Sequence, residues 1–457
     1  MSSGVYMVND LLNNKNGSNI KLRDYQIEAI DSWFDNNCRG IFEMATGTGK
    51  TFTALSCYKK LSNDNDRLLT VIACPQSHLI DQWKNEIKKF DDVDIIIASS
   101  KNSKWKRDLG DLVLNYYLGI IDKAIVLTTH ISLSSDFFLE KIRDINSDLL
   151  LIVDEVHGIG SQKQMLGLDD CYNYRLGLSA TPSRYFDDFG TGVINDYFGG
   201  VVFEFDITRA LTEFNLDTGK TYLTPYIYNP ILVNLNEEEL ALYSEYSTKI
   251  AYLLATDKKI DGDNKTLTSY LIKRQNIINN AEEKYDAFIN ILRERPDIDK
   301  LIVFCSPQQI DRIQKILNEE GVTPQHRFTQ EQSAAKKKKE DLSEREFLLK
   351  KFEDGSYKAL VAIKCLDEGV DVPSAENAII MSSTSNPREH VQRRGRILRN
   401  SPGKEKAIIY DILVFPEEKT EVGKKIRDKE IQRYVDFATN AENSWECLKL
   451  LKKVGDW

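Results

Sequence analysis

The chain has 457 residues, more than one hydrophobic core normally fills, so at least two domains are expected. Its hydrophobic share of 41% and aromatic share of 10% argue against disorder, and we find no apolar run of membrane-spanning length and expect no signal peptide. The net charge of −9 argues against binding of nucleic acid through overall charge, although a local basic face is compatible with it. Basic runs occur at residues 101–107, 336–339 and 424–433, and a solvated surface is the default interpretation of each.

The cysteines and histidines are too dispersed to form a metal site. The seven cysteines include no C-x-x-C pair and several lie in apolar runs, so we expect buried thiols in a reducing cytoplasm. The five histidines are not spaced as ligands of one metal ion. This pattern disfavours structural zinc and any metalloenzyme chemistry beyond Mg²⁺.

The first chemical motif in chain order is MATGTGKT at residues 44–51, which we call the phosphate turn. A short apolar run precedes it and a helical pattern follows it. The backbone N–H groups of such a turn, and the positive end of the helix dipole, attract the phosphates of a nucleotide. The motif therefore predicts a nucleotide site. Because Met44 replaces a glycine of the usual pattern, a glycine-rich turn that binds nothing is the alternative.

Individual residues near this turn have predicted roles. Lys50 supplies charge to the β- and γ-phosphates, and the hydroxyl of Thr51 is a ligand for Mg²⁺. Upstream, the amide of Gln26 matches the donor and acceptor edge of adenine, although a glutamine on a polar helix face is the commoner explanation. The remaining predicted phosphate contacts are Thr46, Gly47, Thr48 and Gly49.

Apolar segments and helical patterns alternate after the phosphate turn. Strands that are apolar on both faces and separated by helices predict a parallel sheet covered on both sides. The predicted strands are residues 68–74, 94–98, 124–129 and 149–153.

Two carboxylates follow the last of these strands, in the sequence DEVH at residues 154–157. A carboxylate at the C-terminal tip of a buried parallel strand lies beside the nucleotide crevice. Asp154 is positioned to hold Mg²⁺ through water, and Glu155 to orient and deprotonate the attacking water. A strand that merely ends in polar loop residues is the alternative.

The pattern changes after a predicted strand at residues 201–205. An extended segment at 222–235 is followed by long helical patterns at 236–256 and 267–294, which we interpret as a linking helical subdomain, with a coiled coil as the alternative. A second alternating series then predicts strands at residues 301–305, 325–328, 359–363, 378–381 and 407–413, and residues 417–457 are predicted to form a helical tail.

The order of the motifs GTGKT, DEVH and SATP resembles the superfamily 2 helicases and translocases, over about residues 20–415. The resemblance implies an α/β fold class with two RecA-like parallel-sheet lobes in tandem, ATP and Mg²⁺ bound between them, and nucleic acid as the partner. In that family the Ser-Ala-Thr segment links the state of ATP to the grip on nucleic acid. The implied coupling residues are His157, Ser179, Thr181 and Gln392.

Four further segments match motifs of this family. CPQSHL with the following Gln82-Trp83, and TTH with the following Ser132-Leu133, resemble its strand-gripping motifs, whose polar groups contact the phosphate backbone. CLDEGVDVP resembles the motif beside the nucleotide ribose, which implies nucleotide contacts by Gly369 and Asp371. QRRGRILR resembles the last motif, whose arginines, here Arg396 and Arg399, cross to the γ-phosphate; a basic surface helix is the alternative. The implied nucleic-acid contacts are Pro75, Gln76, Thr128, Thr129, His130 and Ser306.

The subfamily resemblance rests on Arg23 before Tyr25 and Gln26, on DEVH, and on a last motif that begins with glutamine. These resemble the branch that contains XPB, RadD, UvsW and restriction-enzyme motor subunits, and they add Arg23 to the implied nucleotide contacts. We therefore expect an ATP-dependent DNA helicase or translocase acting in repair, restriction or anti-phage defence, with partner proteins of such a system and no membrane association. An RNA helicase and an ATP-gated nucleic-acid-binding subunit are the alternatives. The expected domains are residues 1–205, 206–296, 297–416 and 417–457.

Overall fold

The computed structural model describes residues 21–184, 187–256, 265–329, 332, 343–363, 372–382, 387–416 and 421–454. The chain divides into two compact units, Met1–Lys220 and Thr221–Trp457. Each unit is built on its own parallel sheet, so the expected α/β class with two parallel-sheet lobes is confirmed.

The sheet of the first unit contains seven described strands in the order β3-β4-β2-β5-β6-β1-β7, and every adjacent pair is parallel. The strands are β1 (Arg39–Met44), β2 (Leu68–Cys74), β3 (Asp94–Ala98), β4 (Lys123–Thr129), β5 (Leu149–Asp154), β6 (Tyr174–Ser179) and β7 (Val201–Phe205). The helices are α1 (Asp24–Asp35), α2 (Lys50–Asp64), α3 (Ser77–Phe90), α4 (Trp105–Tyr117), α5 (His130–Leu133), α6 (Asp136–Arg143), α7 (Asp188–Phe198) and α8 (Ile207–Thr212), with 3₁₀ turns at Val156–Gly160 and Gln164–Gly167.

Burial explains why these strands were readable from the sequence. Every residue of β2 is buried, and β5 is buried up to its final aspartate. Since helices cover both faces of the sheet, both faces of each central strand are apolar. The carboxyl ends of parallel strands meet at one edge, and β5, β6 and β1 are neighbours. The end of β5, the end of β6 and the phosphate turn after β1 are therefore brought together.

A short hairpin, β8 (Phe214–Asn215) and β9 (Lys220–Thr221), precedes the second sheet. The second sheet has six described strands in the parallel order β10-β15-β14-β11-β13-β12. These are β10 (Tyr226–Val233), β11 (Leu301–Phe304), β12 (Gln325–Phe328), β13 (Ala359–Ala362), β14 (Asn377–Ile380) and β15 (Ala407–Val414). The helices are α9 (Glu237–Thr256), α10 (Lys265–Asn279), α11 (Glu283–Glu294), α12 (Ile310–Glu319), α13 (Glu344–Glu353), α14 (Pro387–Ile397), α15 (Glu421–Ala438) and α16 (Ser444–Val454). No helix of the described ranges is long and apolar enough to cross a membrane.

Between the sheets, one segment agrees with the sequence-based prediction and another differs from it. The extended segment before α9 is strand β10, which pairs with β15 along its whole length. The predicted long helix at 267–294 is two helices, α10 and α11. The amide of Asn280 bonds back to the Asn276 carbonyl oxygen at 2.7 Å, and α11 buries Phe288, Ile291 and Leu292 in the core of the second unit. The packing of α11 therefore belongs to the second sheet.

The two C-terminal helices are part of the second unit, whereas the sequence suggested a separate tail. The ring of Tyr228 in β10 stacks on Phe437 of α15 with centroids 5.5 Å apart. The Tyr226 hydroxyl donates to the Phe437 carbonyl oxygen at 2.6 Å. Asn443 accepts from the backbone N–H of Tyr228 and donates to its carbonyl oxygen. The side of β10 away from β15 is thereby covered, which removes an exposed sheet edge.

A cluster of buried charges joins α11 and α15 to this sheet. Arg433 lies 3.1 Å from an Asp411 carboxylate oxygen and 2.8 Å from Glu430. Nearby, the ammonium group of Lys284 is buried and donates to the Met381 carbonyl oxygen at 2.8 Å. Burial lowers the pKa of Lys284 to about 8, although the carboxylates of Glu430 and Asp411 partly oppose the shift.

We predict that the stability contributed by Lys284 increases as the pH rises from about 8 to 10.5. Its pKa is lower in the folded than in the unfolded state, so the unfolded chain binds the extra proton within this window. Relative to Lys284→Met, the free energy of unfolding of the wild type should rise by about 2 kcal/mol between pH 7 and pH 10. Urea unfolding at both pH values measures it. Lys315→Met, at a side chain that is 74% exposed, is the control, and its difference in free energy of unfolding from the wild type should be the same at both pH values. If the difference for Lys284→Met were also the same at both pH values, burial would not shift the pKa of Lys284.

Candidate active site

The phosphate turn has the backbone conformation that an anion site requires. Gly47 and Gly49 have φ angles of 92° and 89°, in the left-handed region that favours glycine. Gly49 directly precedes α2, so the free N–H groups of the first helical turn face the turn. The ammonium group of Lys50 donates to the Met44 carbonyl oxygen at 3.1 Å, which holds this charge over the turn. Thr51 lies half-buried in the first turn of α2.

The threonines of the turn differ in their hydrogen bonding. The Thr48 hydroxyl is buried and donates to the Ala45 carbonyl oxygen at 2.7 Å, which stabilises the turn. The Thr46 hydroxyl is also buried, but among the described residues it has no hydrogen-bond partner. An unsatisfied buried hydroxyl is costly, and a phosphate oxygen would satisfy it. The turn therefore fits a nucleotide phosphate, which opposes the alternative of a turn without a ligand.

The beginning of α1 packs directly against the phosphate turn. The Tyr25 ring stacks on Phe205 with centroids 3.8 Å apart, and its hydroxyl donates to the Thr48 carbonyl oxygen. Arg23 in turn donates to the Tyr25 hydroxyl at 3.0 Å. Tyr25 is thus a residue that supports the turn, a role not assigned from the sequence.

The amide of Gln26 is engaged at both ends within the protein. Its oxygen accepts the backbone N–H of Arg23 at 3.0 Å, and its nitrogen donates to the Thr53 hydroxyl at 3.3 Å. The side chain is buried beside Gly49. These contacts position Gln26 against the phosphate turn, and its contact with adenine stays a prediction.

Asp154 projects from the end of β5 and both of its carboxylate oxygens accept hydrogen bonds. Oδ2 accepts from the indole N–H of Trp83 at 2.9 Å, and Oδ1 accepts from the backbone N–H of Glu155 at 3.0 Å. Burial and the neighbouring Glu155 carboxylate raise the pKa of Asp154 to about 6, against the opposing effect of the Lys50 charge. A divalent cation beside Asp154 would favour its ionised form. The carboxylate and its surroundings therefore fit a Mg²⁺ ion.

Glu155 has a strained backbone, with φ 46° and ψ 55°. A left-handed conformation costs a residue other than glycine roughly 1–2 kcal/mol, and such strain often accompanies function. It turns the chain directly after β5, so that Glu155 Oε2 lies 3.5 Å from His157 Nδ1. The same nitrogen is 3.0 Å from the Ser179 hydroxyl oxygen, which also accepts the backbone N–H of Thr181 at 3.1 Å. One chain of contacts thus joins the DEVH and SAT segments, as the resemblance implied.

Arg184 is a further residue of this site that the sequence did not indicate. Its guanidinium group donates to the His157 carbonyl oxygen and lies 2.6 Å from the Asp187 carboxylate. It therefore holds the backbone of the DEVH loop from the segment after SATP. No residue spacing in the sequence predicts this contact, because the two segments meet only through adjacent strands.

The arginines of α14 and of the segment directly after it, in the second unit, fall into two classes. Arg393 and Arg394 are buried: Arg393 donates to the Ser382 carbonyl oxygen and Arg394 to that of Asp436. Arg396 and Arg399 are only half-buried, as is Gln392. Arg393 and Arg394 therefore stabilise the fold, and the contact of Arg396 and Arg399 with the γ-phosphate stays a prediction.

Comparison with known proteins identifies the family. Residues 19–184 match the model described as type III restriction enzyme, res subunit, and residues 283–401 match the helicase conserved C-terminal domain. The DNA 3'-5' translocase XPB2 of Sulfurisphaera tokodaii is 30% identical over 405 residues, covering 83% of this chain and 79% of that protein. The chain belongs to the superfamily 2 helicases and translocases.

Other relatives agree with this superfamily 2 assignment. A putative DNA 3'-5' helicase Rad25 of Haloarcula marismortui is 25% identical over 385 residues, covering 83% of this chain but 51% of that protein. Among solved structures, the ATP-dependent type ISP restriction-modification enzyme LlaBIII bound to DNA matches with a TM-score of 0.60 and 18% identity, covering 92% of this chain and 30% of its own. This likeness shows the fold. The chain thus resembles XPB proteins and restriction-enzyme motor subunits.

The superfamily's strand-gripping motifs do not expose all the side chains that the sequence suggested. The Thr128 hydroxyl is buried and donates to the Ala98 carbonyl oxygen at 2.8 Å. Thr129 Oγ1 accepts the backbone N–H of Ser132 and caps α5. His130 is 1% exposed, and burial lowers its pKa to about 4, so its ring is neutral at neutral pH. Direct contact of these side chains with nucleic acid is therefore not supported, because their polar groups bond within the protein.

The remaining predicted contacts are found in different environments. Pro75 is half-buried and Gln76 is exposed, so both remain accessible. Ser306, in the second unit, is buried and its hydroxyl donates to the Asn280 side chain at 2.7 Å, which argues against contact with nucleic acid. Gly369, Asp371 and the basic run at 336–339 lie outside the described residues.

We predict that Gly49→Ala weakens nucleotide binding at least about tenfold, or 1.4 kcal/mol. A methyl group at this position would lie 3.0 Å from the Gln26 amide nitrogen, and its φ of 89° strains any other residue. Binding of a fluorescent nucleotide measures the effect. Gly403→Ala is the matched control: its φ is 79°, but a methyl group there meets no atom within 4 Å. Equal affinities of the two variants would contradict this account of the turn.

Proposed function

We propose that this chain is an ATP-dependent DNA helicase or translocase. The observation that carries the proposal is the set of contacts that runs from the carboxylates after β5 through His157 to the SAT segment, beside a phosphate turn whose Lys50 charge acts on Asp154. Such a set joins a site for nucleoside triphosphate hydrolysis to a segment that responds to it. The names of the relatives, a DNA translocase and a DNA helicase, support DNA as the polymer.

The chemistry of hydrolysis requires mainly positioning and charge neutralisation. Lys50 and the N–H groups of the phosphate turn hold the β- and γ-phosphates of ATP. Thr51 and Asp154 hold Mg²⁺, which would neutralise charge that develops on the phosphate oxygens. Glu155 orients the attacking water and accepts its proton. Arg396 and Arg399 of the second unit stabilise charge on the γ-phosphate.

The coupling of hydrolysis to movement uses the contacts of His157. A change in the position of the Glu155 carboxylate as phosphate is released alters the bonds of His157, and through them those of Ser179 and Thr181. Gln392 contributes to the same coupling from the second unit. These roles rest on the distances within the first unit and on the superfamily resemblance for the second.

The DNA, the partners and the location complete the proposal. With a net charge of −9, the chain must grip DNA through local groups, mostly by contacts to the phosphate backbone. We propose Gln76 and the backbone near Pro75 as DNA contacts in the first unit, and the basic run at 336–339 as a further candidate.

Partner proteins of a repair, restriction or anti-phage system are also part of the proposal. The location that we propose is a reducing cytoplasm, because several cysteines lie in apolar runs and are buried as thiols are in such a compartment.

We predict that Lys50→Ala abolishes ATP hydrolysis and weakens nucleotide binding, since the phosphates lose their main counter-charge. Glu155→Gln should retain binding and lose turnover, because an amide cannot accept the proton of the water. Steady-state hydrolysis and equilibrium nucleotide binding separate the two effects. Hydrolysis by the Gln variant near the wild-type rate would show that Glu155 is not the base.

We predict that Arg396→Ala and Arg399→Ala each lower kcat by on the order of 10³-fold, as expected for arginines that stabilise transition-state charge. Both variants should fold and bind DNA, because neither arginine is among the buried ones. Lys315→Ala, at an exposed position of the same unit, is the control. Loss of DNA binding with unchanged hydrolysis per bound DNA would instead assign these arginines to a DNA-binding surface.

The identity of the polymer is tested by ATP hydrolysis with single-stranded, duplex and forked DNA and with RNA. We expect stimulation by DNA. Stimulation by RNA alone would favour an RNA helicase, and no stimulation by any polymer would favour an ATP-gated binding subunit. Strand-displacement and triplex-displacement assays, run in parallel with Glu155→Gln as the inactive control, then separate unwinding from translocation without unwinding.

A further inference from the structure

Trp83 has an environment that its motif did not predict. It lies in α3, which begins directly after the CPQ segment, and its side chain is 1% exposed. Its indole N–H donates to Asp154 Oδ2 at 2.9 Å. A residue expected in a strand-gripping segment is therefore bonded to the carboxylate proposed for Mg²⁺.

The second strand-gripping segment reaches the same residue. His130 Nε2 lies 2.9 Å from the backbone carbonyl oxygen of Asp154. A carbonyl oxygen only accepts, so this ring nitrogen donates. On its other side the ring packs against Gly158, where a Cβ atom would lie 3.0 Å from Nδ1. Each predicted strand-gripping segment thus contributes one ring N–H to Asp154. Trp83 bonds to its carboxylate, and His130 bonds to its backbone carbonyl oxygen.

The acceptor of the Trp83 indole is what points to positioning of Asp154. A buried indole N–H usually finds some acceptor, and here it bonds one of the two carboxylate oxygens, while the Glu155 N–H bonds the other. The orientation of this carboxylate is therefore fixed by donors on α3 and on the DEVH loop. Partners that orient a metal-binding side chain commonly affect metal affinity or activity by about 10–100-fold when they are removed.

The helix α3 also supplies a mechanical link. Gln76 immediately precedes the helix and Trp83 follows two turns later, a distance of about 10 Å along a rigid element. Movement of the exposed Pro75–Gln76 segment on binding a polymer would be transmitted to the indole. Because Asp154 Oδ2 is the partner of that indole, its position would respond.

We propose that Trp83 is a positioning residue that orients the Asp154 carboxylate for Mg²⁺-nucleotide and couples this site to the nucleic-acid segment at the start of α3. The coupling part rests on the proposed function, whereas the positioning part does not. Because its side chain is buried and bonds to Asp154, Trp83 is assigned a role through Asp154 and not a catalytic one.

The positioning part is tested with Trp83→Phe, which keeps an aromatic ring and removes the N–H donor. The affinity for fluorescent ADP is measured in EDTA and at a series of Mg²⁺ concentrations. We expect unchanged affinity in EDTA, an approximately tenfold loss of the gain in affinity that Mg²⁺ gives, and a rise of about tenfold in the Mg²⁺ concentration for half-maximal hydrolysis. Excess Mg²⁺ should restore kcat.

The chain offers a matched control in Trp33→Phe. Trp33 is fully buried in the same unit, and its indole N–H donates to the Arg175 carbonyl oxygen at 3.0 Å, away from the carboxylates. This variant loses the same kind of bond and should keep the wild-type Mg²⁺ dependence. If the two variants shift the Mg²⁺ dependence equally, or if Trp83→Phe does not shift it, the positioning role is wrong. If Trp83→Phe does not fold, Trp83→Leu, which also lacks the N–H donor, replaces it. A shifted Mg²⁺ dependence in Trp83→Leu supports the role, and the wild-type Mg²⁺ dependence with wild-type folding overturns it.

The coupling part is tested by the effect of DNA on the affinity for Mg²⁺ and a non-hydrolysable ATP analogue. The wild type and Trp33→Phe should show the same DNA-dependent change, and Trp83→Phe should lose it while binding DNA as tightly as the wild type. A change retained in Trp83→Phe overturns the link through α3. If DNA binds the wild type without changing this affinity, the link fails, while the DNA assignment is decided separately by the stimulation of hydrolysis. The Mg²⁺ titration without DNA still decides the role of Trp83.

Discussion

The carboxylate of Asp154 stands at the end of a strand that is otherwise fully buried, where an unpaired charge is costly. The first unit meets this constraint with two hydrogen-bond donors, the indole of Trp83 and the backbone N–H of Glu155, and with the nearby charge of Lys50. These three groups belong to three different motifs. The order of the parallel strands is what allows them to meet, because β2, β5, β6 and β1 end at the same edge.

The strain at Glu155 and the bonds of His157 extend this constraint to the SAT segment. The left-handed turn of Glu155 places the DEVH loop across the edge of the sheet, where Ser179 and Arg184 hold it. Because Ser179 and Arg184 both contact this loop, a change in the position of the Glu155 carboxylate can alter the contacts of the SAT segment. The same loop packs Gly158 against His130, so that the end of β4 is part of the arrangement.

The second unit shows how buried charge serves structure. Arg433 is enclosed with Asp411 and Glu430, and Arg393 and Arg394 bond to carbonyl oxygens, so these cations stabilise the packing of helices on the sheet. The half-buried Arg396 and Arg399 on the same segment as Arg393 are left with greater access to solvent. All four arginines carry the same charge, and the two classes differ in how deeply the side chains are buried.

The sequence by itself determined the two parallel sheets, most strand bounds, the phosphate turn and the two carboxylates, because these depend on local patterns. Continuous apolar runs specify buried strands, and glycine, lysine and paired carboxylates directly after strands specify phosphate chemistry. The order of these motifs along the chain carried the resemblance to the superfamily 2 helicases and translocases. Adenine contact by Gln26 and the roles of Gly369 and Asp371 stay predictions.

Only the tertiary structure decided which side of each motif is accessible. Thr128, His130 and Ser306 were expected at a nucleic-acid surface, but their polar groups are buried and bonded within the protein. Trp83 and Arg184 act on residues that are 71 and 27 positions away in the chain, respectively, and no local pattern encodes such a contact. Likewise, the apparent tail became part of the second core because Tyr228 and Phe437 meet across the fold. Burial and long-range hydrogen bonding arise from how the strands and helices are assembled, and the sequence pattern of one segment does not contain that information.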